Sequence, residues 1–385
     1  MAHRIDTSNR AIDLFGTGKD GFATPSPPTT PPTTLSPDFA NMLQQEITNT
    51  VEAAGLALVK ADNTQLLQAI IELASNNIAI SNWTRFPTAS GFTGVLFGIA
   101  FGDGVYVACG ESGEIQTSPD LTNWTRQTAD ASYADEFACA AHNGTDTFVV
   151  AGQNGGVQYS TDAGVTWNAV TLPGAYSGNL KAITWDGTRF VLVGASGGVF
   201  TSTDGITWTA RTPAASYSGN FFGVVSSDTR LVAVGSATGG FQSEIQTSDD
   251  GGSTWTRRNG GGSGTSGIGG NAVGFGNGLF VMSGSGNALI FTSPDGIAWT
   301  SHALPDASAV TLNGIAYDGE RYYVGVGGDT SGDLAVAYTS TNGTTWTKRR
   351  IPLSTPTFPR QLVFDGSAFA AAGGSAAVVS SLRVA

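Results

Sequence analysis

From residue 78 onward the chain consists of short apolar runs separated by polar turns. Phe97-Gly98-Ile99-Ala100-Phe101 leads through Gly102-Asp103-Gly104 into Val105-Tyr106-Val107-Ala108, and Asn313-Gly314-Ile315-Ala316-Tyr317 leads into Asp318-Gly319-Glu320 in the same manner. Runs of aromatic, β-branched and small residues bounded by Gly and Asp predict strands joined by tight turns, and helical spacing is absent here. A Gly-rich loop, a third run ending in Thr-Ser and a turn into Trp complete each period. Trp83, Trp124, Trp167, Trp208, Trp255, Trp299 and Trp346 recur at intervals of 41, 43, 41, 47, 44 and 47 residues, with Trp185 outside that register.

Four strands to a period in the forties is the spacing of a propeller blade. One strand's worth of β sequence precedes Trp83, and three more strands follow Trp346, near Gln361, Ala368 and Ala377. One and three make a blade. The predicted fold class is therefore all-β: a seven-bladed β-propeller with four-stranded antiparallel blades over residues 78–385, closed by a strand at 78–86 that snaps onto the C-terminal blade. Closure of that kind removes the free sheet edges that invite aggregation.

The turn before each Trp has its own chemistry. Ser160-Thr161-Asp162-Ala163-Gly164-Val165-Thr166-Trp167 and Ser248-Asp249-Asp250-Gly251-Gly252-Ser253-Thr254-Trp255 resemble the Asp-box, or neuraminidase-type repeat. Shorter versions carry Asp120, Asp204 and Asp295 ahead of Trp124, Trp208 and Trp299, and Asn342 replaces Asp ahead of Trp346. A short carboxylate can accept bonds from turn amides while Gly supplies the left-handed backbone. The resemblance implies a structural hairpin clasp, not a catalytic centre.

Ahead of the repeats, residues 1–35 show no strand or helix period and contain the tract Thr24-Pro25-Ser26-Pro27-Pro28-Thr29-Thr30-Pro31-Pro32, which predicts an extended arm. Ser36 with Pro37 and Asp38 forms a helix start, and Phe39, Met42, Leu43, Ile47, Val51 and Ala54 make an apolar stripe. A second helix is predicted from Asn63 through Ala74, so residues 36–77 form a two-helix segment. Two short helices cannot bury this stripe by themselves. It is expected either to dock on the propeller or to be an oligomer interface at Phe39, Leu43, Ile47 and Val51. The succession of Asp13-Leu14-Phe15-Gly16, Lys19-Asp20-Gly21-Phe22, the Pro/Thr tract, Phe39-Ala40-Asn41-Met42-Leu43 and Gln65-Leu66-Leu67-Gln68-Ala69-Ile70 resembles the N-terminal attachment region of tail-fibre and receptor-binding proteins of tailed bacteriophages. That resemblance implies a virion protein at the tail tip or baseplate. It would be held to a tail partner through residues 1–35, be a homotrimer, and touch a glycan, pilus or protein receptor on the host with its C-terminal part.

Composition narrows the alternatives. Charged residues are 12% of the 385, and 30 acidic against 18 basic side chains give −12, so a phosphate-neutralising basic face is not expected. No run reaches the 18 apolar residues of a membrane span, and Met1 to Phe22 lacks the apolar core of a secretory signal. Cys109 and Cys139 lie in apolar runs as buried thiols, and with His3, His142 and His302 they offer no metal spacing. No cofactor is expected.

The sialidase resemblance implies three arginines over the substrate carboxylate. Arg85, Arg126 and Arg257 sit instead on outermost strands, and Arg189, Arg230 and Arg321 at the first hairpin turn. Only Arg360 falls near an inner strand. A depolymerase-type glycosidase needs two spaced carboxylates, and none of the loop acids stands out. A cellular scaffold is the remaining alternative. The expectation is thus a non-enzymatic receptor-binding protein. Its contact surface is the face carrying the irregular loops at 235–244, 257–271, 327–333 and 350–360, with Phe92, Tyr133, Tyr176 and Tyr217 as aromatic candidates among them.

Overall fold

The computed structural model describes Ile47 and residues 83–381, apart from 131–132, 215–216, 237–242, 259–269, 285–287, 306–309, 321–322, 330–333, 352–357 and 374–376. The chain divides into two units, Met1–Ala79 with Arg383–Ala385, and Ile80–Leu382. Of the first, Ile47 is helical and half-buried. The extended arm, the rest of the helical segment, Phe39, Leu43 and Val51 lie outside the described residues, as do positions 78–82 of the expected closing strand.

The second unit is a seven-bladed β-propeller of four-stranded antiparallel sheets. Blade one comprises β2 (Leu96–Gly102), β3 (Val105–Gly110), β4 (Ile115–Ser118) and β5 (Thr125–Gln127), and blade two β6 (Phe137–His142), β7 (Phe148–Gly152), β8 (Val157–Ser160) and β9 (Asn168–Val170). Blade three holds β10 (Leu180–Trp185) to β13 (Thr209–Ala210), blade four β14 (Asn220–Ser226) to β17 (Thr256–Arg257), blade five β18 (Gly270–Gly276) to β21 (Thr300–Ala303), and blade six β22 (Val310–Tyr317) to β25 (Thr347–Arg350). Blade seven is composite. Its β26 (Gln361–Phe364), β27 (Phe369–Ala372) and β28 (Ala377–Ser381) come from the end of the chain, and its outer strand β1 (Trp83–Pro87) from before blade one. Trp83 pairs with Ser381 and Phe86 with Val378. Each inner strand touches the next, and β26 touches β2, so the ring is closed.

Apolar clusters lie between neighbouring blades. Ala100, Val107, Cys109 and Ile115 of blade one pack against Phe137, Ala140, Phe148 and Val150 of blade two, with Trp167 covering the outer end. The turn before Trp167 shows why Asp and Gly are needed. Asp162 accepts the amides of Val165 and Thr166 at 3.1 and 2.8 Å and the Thr166 hydroxyl at 2.6 Å, and Ser160 donates to the same carboxylate at 2.7 Å. Gly164 has φ +81°, and a Cβ there would stand 3.0 Å or less from Val107 and Thr117 of the preceding blade. Its carbonyl accepts the Trp167 indole N–H at 2.9 Å. Turn, indole and neighbouring blade are therefore one packing unit. Asp120, Asp204, Asp250 and Asp295 repeat the arrangement, and Asn342 reproduces the amide bonds without the charge. Trp124, Trp208, Trp255, Trp299 and Trp346 are buried in the same way. Trp185, outside the repeat register, stacks edge-on against Phe190.

In such a meander alternate connections emerge at the same end. The Gly/Asp hairpin turns and the Asp turns share one face, and the remaining loops share the other. Three of those loops contain tight 3₁₀ turns between second and third strands, Glu111–Gly113, Gln153–Gly155 and Ala195–Gly197. Their Gly-rich sequence had suggested only irregular loop.

Candidate functional site

The inner strands surround an axial cavity of about 620 Å³, whose lining includes Phe358 and Arg360 from the irregular loop ahead of β26. Its lining is set by a repeated irregularity. Six of the seven inner strands carry a bulge after the first one to three paired residues, between Leu96 and Gly98, Phe137 and Cys139, Leu180 and Ala182, Phe221 and Gly223, Gly270 and Ala272, and Leu312 and Gly314. A bulge inserts one unpaired residue and re-aims its side chain. The inserted residues are Phe97, Ala138, Lys181, Phe222, Asn271 and Asn313, and all six line the cavity. In blade seven Phe364 pairs with Phe369 as Phe101 pairs with Tyr106, which puts Arg360 at the equivalent place, also on the lining.

Each of the six bulge residues is followed by Gly, Ala or Cys. The reason is crowding between inner strands. A Cβ on Gly98 would stand 2.9 Å from the Cys139 carbonyl carbon, and one on Gly314 would stand 2.8 Å from the Arg360 carbonyl oxygen. Blade seven departs from the rule with Gln361. Its side chain accepts the amides of Ile99 and Ala140 at 3.1 and 3.0 Å and donates to the Ala140 carbonyl at 2.7 Å, so it satisfies channel-facing backbone of blades one and two. Across the ring, Asn271 donates to the Leu312 carbonyl and to the Asn313 side-chain oxygen, and Asn313 donates to the Pro359 carbonyl. Blades three and four have no such cover: among the described residues no side chain bonds the channel-facing backbone of β10 or β14.

The charged lining residues are Lys181 and Arg360. Arg360 lies 3.9 Å over the Phe97 ring and 3.6 Å from Glu136. Lys181 has no carboxylate partner among the described residues. The two buried cysteines are not reactive groups. Burial pushes the Cys139 thiol up to about 12 and the Cys109 thiol well above its usual value. No Asp, Glu or His lines the cavity among the described residues, so neither carboxylate of a glycosidase pair is present there. The arginines expected elsewhere are engaged locally. Arg126 and Arg257 on outer strands pair with buried Glu114 and Glu244, Arg189 pairs with Asp186, and Arg230 with Asp249. Arg321 lies outside the described residues.

The four aromatic candidates stand on the loop face, and the structure uses them to hold the loops. The Tyr133 hydroxyl donates to the Glu136 and Gln153 carbonyls, Tyr176 to the Ala195 carbonyl, and Tyr217 to the Ser236 carbonyl. Their rings pack on Phe137, Phe200 and Phe221 at 4.5 to 4.9 Å. Burial pushes the Tyr176 phenol up to about 12. Tyr217 is only 5% exposed and Phe92 packs into the cluster between blades seven and one. Their geometry is that of tethers between consecutive loops. Sequence reading missed a second set of tethers on the third strands: Gln116 and Gln246 accept the amides of Ala89 and Ala214, and Gln158 accepts that of Asp130. The signal is a Gln two residues before the Ser in three of the turns, at Ser118, Ser160 and Ser248. It also missed the bulge ring, because Lys181, Asn271 and Asn313 share a position and no common chemistry.

The family model and the solved structures agree on the propeller. Residues 118–263 match the family model described as the DUF6242 beta propeller domain. A stretch of 69 residues is 48% identical to the uncharacterized protein StfP of Escherichia coli strain K12; it is 18% of this chain and spans 33% of that relative's length. Among solved structures, YCF48 bound to D1 peptide is similar with a TM-score of 0.62 at 18% identity, covering 78% of this chain and 95% of that one. The GH74 xyloglucanase of Xanthomonas campestris is similar with a TM-score of 0.58 at 16% identity, over 78% of this chain and 54% of that one. At these identities the likeness is one of fold.

Proposed function

We propose that this chain is a receptor-binding protein of a phage-type tail, mounted through its N-terminal region and contacting the host surface with the irregular-loop face of the propeller. The observation that carries the reading is the division of the ring into two unlike faces. One is locked by near-identical Asp turns. The other carries loops of differing length and sequence, tethered by tyrosines and glutamines around an open cavity, which is the usual arrangement for recognition on a rigid scaffold. The resemblance of the first 70 residues to tail-fibre attachment regions and the stretch shared with StfP support the tail assignment. Under this reading residues 1–35 dock on a tail or baseplate protein, and Phe39, Leu43, Ile47 and Val51 join copies into a homotrimer. The partner on the host is a surface glycan or protein, and the contact needs no hydrolysis.

The two faces can be blocked separately. Both native cysteines are buried, so a polyethylene glycol maleimide can be directed to Ser177→Cys, exposed on the loop face, or to Val165→Cys, exposed on the Asp-turn face. The loop-face adduct should abolish adsorption to host cells and the Asp-turn adduct should leave it intact. The reverse result would overturn the assignment of faces, and adsorption unaffected by either would overturn receptor binding.

A further inference from the structure

The channel reverses the charge of the molecule. A chain of net charge −12 surrounds a cavity whose lining holds two cations and, among the described residues, no carboxylate. The two cations are not equivalent, since Arg360 already faces Glu136 while Lys181 has no carboxylate partner. Lys181 also sits on the side that Gln361 and the two asparagines leave uncovered. The same lining offers the half-buried Thr184, the half-buried Phe222 ring and Asn271. The Asn271 amide nitrogen is committed to Leu312 and Asn313, and its oxygen accepts no bond among the described residues.

Resting on the reading of this face as the host-contacting side, we infer that the cavity is a subsite for a carboxylate-bearing sugar, with Lys181 holding the acid group. A half-buried ammonium with no carboxylate partner among the described residues, in a recess that excludes part of the solvent, gains more from an anionic ligand than a fully exposed one, because the pair is less screened there. The Asn271 oxygen and Thr184 hydroxyl are suited to ring hydroxyls, and Phe222 to the C–H face of a pyranose. A peptide strand fits less well: it needs a straight run of free sheet edge, and here the inner edges curve around the channel and six of the seven are interrupted by a bulge.

The test is titration of the full-length protein by calorimetry with methyl glucuronide and methyl galacturonide, with their neutral methyl esters and with trialanine as the peptide acid. At least one uronide should bind, its ester at least tenfold more weakly, and affinity should fall as salt is raised. Lys181→Met should lose tenfold or more while melting as the wild type does, and Lys181→Arg should recover most of the affinity. Equal binding of acid and ester, no binding of either uronide, or unchanged binding by Lys181→Met would overturn the subsite. Preferential binding of trialanine would overturn the sugar assignment. If the subsite fails but the loop-face adduct still blocks adsorption, host recognition stands without it. If uronide binding holds while adsorption is indifferent to both adducts, the site survives and the receptor reading falls.

Discussion

The Asp turns make acid sensitivity a property of single residues. In Asp250 the bonds from the Thr254 hydroxyl and amide hold the carboxyl down at about 2, against the usual 3.8. Asp120 is lowered by the Asn123 amide and side chain, and Asp295 by the Ile297 amide. A carboxyl lowered by folding stabilises the native state fully above its unfolded value and loses that contribution as pH falls through the folded one. Urea midpoints should therefore be flat from neutrality to about pH 4 and drop between there and about pH 2. Asp250→Asn should flatten part of the drop, since Asn342 already serves the same amides without a charge. Tyr133→Phe, which deletes the hydroxyl bonded to two carbonyls, should cost about 1 kcal/mol and speed hydrogen exchange in the loop at 128–136. The thiols should consume no aromatic disulfide reagent at pH 8 in the folded protein and two equivalents in urea, because burial holds both protonated.

At the scale of the strand, β1 is the element on which closure depends. Trp83 is buried in a cluster with Val326, Leu362 and Val379, so Trp83→Ala should cost about 3–5 kcal/mol in urea unfolding. Trp83→Phe should be cheaper than Trp167→Phe, since the Trp83 indole N–H has no partner among the described residues while that of Trp167 bonds Gly164. A chain beginning at residue 88 should lose cooperative melting, and one beginning at residue 80 should retain it. This composite blade was legible in the sequence because Trp and the Asp/Gly turns punctuate every period, so an unpaired strand at each end is a matter of counting. The bulge ring was not legible, because a bulge is a property of pairing register and Phe97, Ala138, Lys181 and Asn313 have nothing in common but place. The small residue after each of them is visible in the sequence, yet its meaning depends on the neighbouring inner strand, which lies about forty residues away. The tyrosines were found as loop-face aromatics, but hydroxyl bonds to Gln153, Ala195 and Ser236 depend on how far the next loop folds back.

For the whole molecule the ring is a chain of similar blades whose apolar clusters join neighbours, with Gln361 reaching past blade one to blade two, and with a single seam between blades seven and one. The seam carries its own latch, the Tyr106 hydroxyl on the Asp365 carboxylate, besides the apolar contacts of Phe86, Val363 and Ala370 with blade one. The pairing of β1 with β28 inside blade seven also fixes an order of events during synthesis. Hairpins of blades one to six can form as they emerge, but Trp83 must wait for Ser381, 298 residues later. At about 5–20 residues per second that is roughly 15–60 s with an apolar strand unmatched on a nascent chain. On a crowded polysome the nearest vacant blade seven can belong to the preceding chain, and the same register would be satisfied by exchange between copies. Strong overexpression should therefore yield a fraction of strand-exchanged oligomers that dilution at neutral pH does not dissociate, and slower synthesis should reduce it.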